Sequence, residues 1–291
     1  MSSADSNRLA PRGDTPEQDA EAATLKLGLI GDNIAQSKAP LLHRLAGEIA
    51  GLAVTYDRLV PRELGADFDE TFDICTAGSY RGVNITYHYK ERAAARVEID
   101  DPLVRAMGAV NTVTFGRKGA RGVKPDYSGF IAAYRGARGT TPAGRVCILG
   151  AGGVGKAIAF ALVKLGLEAL WLIDLDQDRA ADLAARLQSV APDCAVTLAE
   201  GPEGLPGDID GLINCTPVGM VGHEGTPLPA ERMSGAAWAF DAVYTPLETR
   251  FLKGAAAAGL TTIGGYELFF YQGIDAWQIF SGRPAEAGDL R

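Results

Sequence analysis

The sequence predicts an α/β protein of two domains, each built from helices packed on a mostly parallel sheet. Short apolar runs alternate with segments of helical period along most of the 291 residues, which is typical of strands joined by crossover helices. A glycine-rich hexapeptide at 150–155 follows the apolar run 146–149, which predicts a doubly wound, Rossmann-type sheet in the second half of the chain. The first half is long enough for another domain.

The first half begins with a segment, residues 1–24, that is rich in Ser, Asp, Glu, Ala and Pro and lacks the apolar core of a signal peptide. We expect it to be a disordered extension. Helical spacing predicts helices at 40–51 and roughly 62–78. Apolar runs bounded by glycine and polar residues predict strands at 25–31, 54–60 and 82–86, and a hairpin formed by 109–115 and 121–124.

The second half follows the same alternation. A connecting helix is predicted at 129–139, and a last helix, rich in aromatic residues, at about 266–281. The predicted strands between them lie at 146–149, 169–173, 195–198, 211–215, 237–241 and 261–263. We therefore predict a substrate-binding catalytic domain at 25–128 and a nucleotide-binding domain at 129–265, with the C-terminal segment 266–291 packing back on the first domain.

Composition excludes several classes of function. The net charge of −8 disfavours a surface for nucleic acid or anionic membrane, since both need clustered Lys and Arg. No apolar stretch approaches the roughly 18 to 20 residues that span a bilayer. Four separated cysteines without a C-x-x-C pair indicate a reduced, cytoplasmic protein, and three separated histidines give no metal site.

The hexapeptide Gly150-Ala151-Gly152-Gly153-Val154-Gly155 has the context of a dinucleotide site. A strand precedes it, a helix follows it, and Asp174 ends the next strand. The first glycine permits the tight turn, the second lets the backbone approach a pyrophosphate, and the third allows close helix–strand packing. A carboxylate at Asp174 accepts hydrogen bonds from ribose hydroxyls and repels a 2′-phosphate, so the sequence predicts NAD in preference to NADP.

Polar residues follow the predicted strands of the first domain, and the richest segment is 84–90. Oxidation of a secondary alcohol by NAD requires a base that takes the hydroxyl proton, and a lysine amine with a carboxylate partner does this. Lys90 and Asp126 are the candidates. Taken alone, a lysine after a strand is more often a solvated side chain.

The sequence resembles the shikimate dehydrogenase family, which includes quinate/shikimate dehydrogenases, from about residue 27 to 284. The resemblance rests on a series of motifs in the family's order: Ser37-Lys38-Ala39-Pro40-Leu41-Leu42-His43, Asn84-Ile85-Thr86 with Lys90, Gly108-Ala109-Val110-Asn111-Thr112, Asp126 with Gly129-Phe130, the glycine loop, Asn214-Cys215-Thr216-Pro217-Val218-Gly219-Met220, Asp241-Ala242-Val243-Tyr244, and Gln272.

The resemblance implies roles for individual residues. Lys90 matches the catalytic lysine and Asp126 its aspartate partner. The implied substrate-binding positions are Ser37, Ala39, Thr86, Asn111, Tyr244 and Gln272. Positions along the nicotinamide half of the cofactor are matched by Thr216, Ala242, Val243 and Gly265. We place Leu175 and Arg179, which follow Asp174, beside the adenine or ribose.

Three departures from the family pattern cluster on the substrate side. Ala39 replaces the second hydroxyl residue that binds the substrate carboxylate, and His88 replaces a proline. Lys124-Pro125 precedes Asp126 where the family has Asn-Thr. We interpret Lys124 mainly as surface charge and His88 as either packed or solvent-facing; the alternative is that one of them supplies a new contact to the substrate.

These observations predict a reversible NAD-dependent dehydrogenase that oxidises a ring secondary alcohol of shikimate, quinate or a related cyclic hydroxy acid. Two alternatives stay open at this point. One is a non-catalytic regulator that binds NAD or a metabolite on the same fold, and the other is a dehydrogenase specialised for an aminoshikimate-type substrate. A homodimer is also left open.

Overall fold

The computed structural model describes residues 24–86 and 88–291, and it contains two sheets. The predicted extension at 1–24 lies outside the described residues except for Thr24. The N-terminal sheet has five strands in the order β2-β1-β3-β4-β5. Its first three strands are parallel and its last two antiparallel: β1 (Leu25–Ile30), β2 (Val54–Leu59), β3 (Gly82–Ile85), β4 (Thr112–Gly116) and β5 (Gly119–Val123).

Helices of the N-terminal half connect these strands, and one prediction for them needs correction. They are α1 (Ala39–Ala50), α2 (Phe68–Ala77), α3 (Lys90–Ala94) and α4 (Pro102–Met107). The single helix predicted at 62–78 is wrong, because the chain forms a 3-10 turn at Pro61–Leu64 and then α2. Gly65 ends the turn with a φ of 65°, and Asp67 starts α2 with a capping box to Glu70.

The C-terminal sheet has six parallel strands in the order β11-β10-β9-β6-β7-β8, as the Rossmann-type prediction requires. They are β6 (Gly144–Leu149), β7 (Leu167–Ile173), β8 (Ala195–Leu198), β9 (Gly211–Asn214), β10 (Trp238–Asp241) and β11 (Thr261–Gly264). The helices that connect them are α6 (Gly153–Lys164), α7 (Gln177–Val190) and α8 (Arg250–Ala257). The strand predictions for this half are confirmed within one or two residues at each end.

Two long helices lie side by side between the sheets. These are α5 (Pro125–Arg138) and α9 (Gly265–Ser281), and a short α10 (Ala287–Leu290) follows. A Cβ on Gly129 of α5 would come within 2.9 Å of the backbone nitrogen of Gln272 of α9, so the helices touch closely. Phe280 packs with Leu27 and Leu29 of β1. The C-terminal helix thus contacts the N-terminal sheet.

The start of α5 differs from the predicted connecting helix at 129–139. Pro125 occupies its first turn, where a missing N–H costs nothing and a fixed φ suits a helix, so α5 begins four residues earlier. Asp126 therefore lies in the first turn of α5. The domain boundary predicted between 128 and 129 falls inside this helix and stays a prediction. Among the described residues, no helix has both the length and the apolar character needed to cross a bilayer.

Candidate functional site

A buried ion pair joins the two residues that the sequence predicts to be catalytic. Lys90 begins α3 just beyond β3, and Asp126 lies at the start of α5 just beyond β5. Lys90 Nζ is 2.5 Å from Asp126 Oδ2. The Asp126 side chain is 1% exposed and the Lys90 side chain 12%, so the amine is the member of the pair that a ligand reaches.

Lys124 lies in the same cluster, and its interpretation as surface charge is wrong. Its side chain is 0% exposed, and its Nζ lies 2.8 Å from Asp126 Oδ2. Pro125 explains the arrangement, because it keeps the preceding residue out of the helix and starts α5 immediately afterwards, which folds the Lys124 amine back toward a carboxylate two residues away. The Lys-Pro-Asp sequence is the pattern from which this contact between Lys124 and Asp126 could have been predicted.

Charge keeps Asp126 ionised in spite of its burial. Burial alone raises the pKa of this carboxyl, but the positive charges of Lys124 and Lys90 outweigh burial and lower the pKa to about 2. Burial acts on Lys124 in the other direction. It lowers the pKa of the Lys124 amine to about 8, although Asp126 partly restores the charged form. The Asp126 carboxylate therefore stays ionised between the amines of Lys90 and Lys124.

Asn111 and Gln272 complete the cluster on the other oxygen of Asp126. Asn111 Nδ2 donates to Asp126 Oδ1 at 2.9 Å and to Gln272 Oε1 at 2.9 Å. Both N–H groups of the amide are then in use. Asn111 Oδ1 is buried and has no hydrogen-bond partner within the described part of the chain, which is the arrangement expected of an acceptor for a ligand hydroxyl.

The other predicted substrate residues have contacts of their own outside the hydrogen bonds of this cluster. Thr86 follows β3, and its carbonyl accepts from the backbone N–H of Tyr89, directly before Lys90. Ser37 precedes α1, and its Oγ accepts from the N–H of Ala39 at 3.3 Å, so the hydroxyl hydrogen stays available. Tyr244 stacks on Phe269 at 5.2 Å between ring centroids, one turn before Gln272 on α9. No hydrogen bond joins Ser37 or Tyr244 to Lys90 or Asp126 in residues 24–86 and 88–291.

His88, the second departure from the family pattern, is at the surface. Its side chain is 54% exposed, and its Nε2 lies 3.7 Å from Asp32 Oδ2. Its ring also lies 4.4 Å from that of Tyr89. This exposed position favours the interpretation of His88 as a solvent-facing side chain rather than a substrate contact.

The glycine loop has the geometry that the three glycine roles require. Gly150 has a φ of 101°, and a Cβ there would come within 2.9 Å of the Cys215 carbonyl oxygen. A Cβ on Gly155 would lie 2.0 Å from the Gly150 oxygen, so the helix cannot pack this closely with a larger residue. Above Gly152, in contrast, a Cβ would meet nothing within 4 Å among the described residues. That open face beside the N-terminus of α6 fits the pyrophosphate of a dinucleotide.

The glycine loop lies against the ion pair. A Cβ on Gly153 would come within 3.3 Å of Lys90 Cδ. A second contact nearby links the same elements, because Lys156 Nζ of α6 lies 2.9 Å from Glu91 Oε1 of α3. The predicted cofactor loop, which follows a strand of the second sheet, therefore lies next to the predicted catalytic lysine, which follows a strand of the first sheet.

Asp174 follows β7, and its carboxylate holds the glycine loop. Its Oδ2 accepts from the Ala151 N–H at 2.7 Å, and its Oδ1 accepts from the Asp176 N–H at 2.8 Å. Leu175 is fully exposed beside it. The guanidinium of Arg179 lies 3.3 Å from Asp176 Oδ2.

A buried hydrogen-bond network, of which the sequence shows only the motifs, joins the remaining predicted cofactor positions. Asn214 Oδ1 accepts from Thr216 Oγ1 at 2.7 Å, and Asn214 Nδ2 donates to Asp241 Oδ1 at 2.9 Å. Asp241 also accepts from the Val243 N–H at 3.0 Å. Burial raises the pKa of Asp241 to about 6, against the opposing effect of these hydrogen bonds and one from Thr249.

The last predicted cofactor residue, Gly265, joins this network from α9. A Cβ at this position would come within 2.5 Å of the Ala242 carbonyl oxygen. Only glycine allows the start of α9 to lie this close to the loop after β10. Thr216, Ala242, Val243 and Gly265 therefore lie along one edge of the second sheet, where the strands β9, β10 and β11 end.

Comparison with known proteins identifies a family with the same arrangement. Residues 29–113 match the family model for the shikimate dehydrogenase substrate binding domain. A shikimate dehydrogenase (NADP(+)) from Pseudarthrobacter chlorophenolicus is 36% identical over 271 residues, which cover 91% of this chain and 92% of that protein. A quinate/shikimate dehydrogenase (NAD(+)) from Corynebacterium efficiens is 34% identical over 274 residues, covering 92% and 96%.

A solved structure is also similar over nearly the whole chain. It is the quinate dehydrogenase from Corynebacterium glutamicum in complex with NAD, with a TM-score of 0.84 and 32% sequence identity. The similarity covers 92% of this chain and 97% of that one. The solved relative thus shares the fold of this chain, and the names of the relatives divide between NAD and NADP as cofactor.

The buried cluster predicts a large effect of Asp126→Asn on stability. The change leaves the buried Lys124 amine and the half-buried Lys90 amine without an anion, and we expect the free energy of unfolding in urea at pH 7 to fall by about 3 to 5 kcal/mol. Asp182→Asn is the control, because Asp182 also pairs with a lysine and an arginine but is 43% exposed. It should cost about 1 kcal/mol or less.

The stability lost in Asp126→Asn should depend on pH. Because the folded pKa of Asp126 is about 2 and thus below its ordinary 3.8, its stabilising effect is complete above about pH 4 and is lost as the pH falls toward 2. The difference in unfolding free energy between wild type and Asp126→Asn should shrink over this range. A constant difference, or a loss no larger than that of Asp182→Asn, would contradict the buried ion pair.

Proposed function

Because the chain belongs to the shikimate dehydrogenase family, we propose that it catalyses the reversible oxidation of a ring secondary alcohol in shikimate, quinate or a related cyclic hydroxy acid. The family makes the protein an NAD(P)-dependent alcohol oxidoreductase. The observation that carries the proposal is the Lys90–Asp126 pair, which lies against the Gly153 end of the cofactor loop. A regulator that had lost catalysis would have no need of this buried pair beside the loop.

Each residue of the cluster has a chemical task in this proposal. NAD(P), when bound, supplies the acceptor for the hydrogen and electron pair that leave the alcohol carbon. Lys90, as the neutral amine, accepts the hydroxyl proton while the carbon–oxygen bond becomes a carbonyl. Asp126 orients Lys90 and stabilises the ammonium that forms. Asn111 Oδ1, buried and unpartnered among the described residues, accepts a hydrogen bond from a neighbouring ring hydroxyl.

The carboxylate end of the substrate is held differently from the family pattern. We assign it to Ser37, with Thr86, Tyr244 and Gln272 around the ring. Ala39 has no hydroxyl to offer, and a missing hydrogen bond to a charged group costs about 1.5 to 3 kcal/mol if nothing replaces it. This loss supports a related ring acid as strongly as shikimate itself, and it keeps an aminoshikimate-type substrate among the candidates.

We further propose that NAD is preferred over NADP. Asp174 places a carboxylate at the end of β7, and the Arg179 guanidinium is directed toward Asp176. A 2′-phosphate at this site would meet negative charge. The predicted division into domains at 25–128 and 129–265, a cytoplasmic location and a homodimer remain proposals of the same kind.

The proposed reaction predicts formation of NADH from a ring acid. Shikimate, quinate and aminoshikimate should be offered to the purified protein with NAD, and the absorbance of NADH should be followed. We expect at least one of them to be oxidised with a kcat on the order of 1 to 1000 per second. Failure to oxidise any ring acid, with NAD still bound, would favour the regulator instead.

Removal of the base should separate catalysis from cofactor binding. We expect Lys90→Met to lower kcat at least about 100-fold, since general base catalysis contributes this much, while NAD binding stays within about threefold. Isothermal titration measures NAD binding in the same preparations. Lys26→Met, which replaces a half-buried lysine of β1, is the control and should keep wild-type turnover. Wild-type turnover in Lys90→Met would refute the assigned base.

The cofactor preference should depend on the charge of Asp174. We expect the wild type to have a higher kcat/KM with NAD than with NADP, and Asp174→Asn to reduce this ratio at least about tenfold by removing the repulsion of the 2′-phosphate. Asn keeps an oxygen for the Ala151 N–H, whereas Asp174→Ala removes it. If only Asp174→Ala changes the ratio, Asp174 acts by holding the loop and not by charge.

A further inference from the structure

The guanidinium of Arg58 lies beside the residue that we assign to the substrate carboxylate. Arg58 is on β2 and pairs in register with Leu29, one residue before β1 ends. It therefore lies at the carboxyl end of these parallel strands, where open α/β sheets bind their ligands. Its Nη2 donates to the Ser37 carbonyl oxygen at 3.0 Å. Because the carbonyl and the hydroxyl of Ser37 belong to one residue, the guanidinium is only a few ångströms from that hydroxyl.

The charge of Arg58 also acts on a buried polar group of the first domain. Arg58 shares one face of β2 with Tyr56, which is two residues earlier. The Tyr56 hydroxyl donates to Asn84 Oδ1 at 2.7 Å, in the segment that leads to Thr86. Burial raises the pKa of the Tyr56 phenol, and the positive charge of Arg58 lowers it. The guanidinium is therefore close to the polar groups that precede the predicted substrate residue Thr86.

Within the described residues, no carboxylate of the protein pairs with Arg58. Its sequence neighbour Asp57 lies on the opposite face of β2 and accepts from the Tyr80 hydroxyl at 2.6 Å. The Ser37 carbonyl is the one hydrogen-bonding partner of Arg58 in residues 24–86 and 88–291. A guanidinium has several N–H donors in a planar fork that fits a carboxylate. Arg58 therefore has donors to offer to an anionic ligand.

Resting on the proposed function, we propose that Arg58 is a specificity-determining residue that binds the carboxylate of the ring acid together with the Ser37 hydroxyl. Ser37 Oγ accepts from the Ala39 N–H, so its own hydrogen is available to the carboxylate, whereas Ala39 adds no second hydroxyl. A hydrogen bond from a guanidinium to a carboxylate is charge-assisted and stronger than one from a neutral hydroxyl. Arg58 thus directs the site toward anionic ring acids rather than neutral polyols.

The test compares each ring acid with its uncharged primary amide, which has nearly the same shape. Shikimate, quinate and their amides are titrated into the full-length protein by isothermal titration calorimetry, without NAD, so that no oxidation takes place. We expect the wild type to bind the preferred acid at least about tenfold more tightly than its amide, since a hydrogen bond between charged groups contributes this much. Arg58→Gln should reduce the preference to within about threefold.

Two further variants control for charge and for position. Arg58→Lys keeps a positive charge but not the planar fork, so its preference should lie between those of wild type and Arg58→Gln. Arg44→Gln makes the same change at an exposed arginine of α1 and should keep the wild-type preference. Arg58 is itself exposed, so its substitution is compatible with the fold.

A purely structural role for Arg58 predicts another result. If Arg58 only holds the Ser37 backbone, Arg58→Gln weakens the binding of acid and amide by the same factor and leaves the preference unchanged. That result would overturn the proposal. A wild type that binds neither ring acid, or that binds acid and amide equally well, overturns it too.

The oxidation assay with NAD separates this inference from the proposed function. A protein that prefers the acid through Arg58 but forms no NADH supports the inference and refutes only the proposed function. A protein that oxidises the acid and its amide with the same kcat/KM refutes the role of Arg58 and leaves the proposed function in place.

Discussion

The buried carboxylate of Asp126 is the constraint on which the rest of the candidate site depends. It accepts from Lys90 and Lys124 on one oxygen and from Asn111 on the other. These donors come from α3, from the end of β5 and from the chain before β4, and Asn111 also donates to Gln272 of α9. An ionised carboxylate is costly to bury without such partners, so the elements that supply them cannot shift independently.

The position of Asp126 also ties the first sheet to the second. Asp126 begins α5, and the other end of this helix buries Phe130 and Tyr134 in the core around β6. The free N–H groups at the start of a helix favour a negative charge, so α5 stabilises the carboxylate that it carries. On the opposite side, Lys156 of α6 pairs with Glu91, the neighbour of Lys90. Both members of the Lys90–Asp126 pair are therefore connected to the core around the second sheet, Asp126 through α5 and Lys90 through its neighbour Glu91.

Local patterns predicted most of the fold and the pairing of Lys90 with Asp126, but not the third charged member of the cluster, Lys124. Alternating apolar runs predict the strands, because burial on a parallel sheet requires them, and the glycine loop predicts the turn at Gly150. The same patterns did not predict that the helix expected at 62–78 is interrupted, because the interruption depends on the positive φ of Gly65 and on the Asp67 cap. The burial of Lys124 was not predicted for another reason. Its residue type is typical of the surface, and only the fold buries this lysine against the carboxylate of Asp126.

In the Lys-Pro-Asp segment, the backbone restriction that Pro125 imposes brings two opposite charges, Lys124 and Asp126, into contact. Pro125 keeps Lys124 out of the helical conformation, with a φ of −130° and a ψ of 68°, and starts α5 so that Asp126 falls in the first turn. The two side chains then meet although they are only two residues apart, a spacing that would separate them on a helix. A residue other than proline at 125 would allow α5 to extend backward and carry Lys124 away from Asp126. The burial of the Lys124 amine against Asp126 thus depends on Pro125, the residue between them.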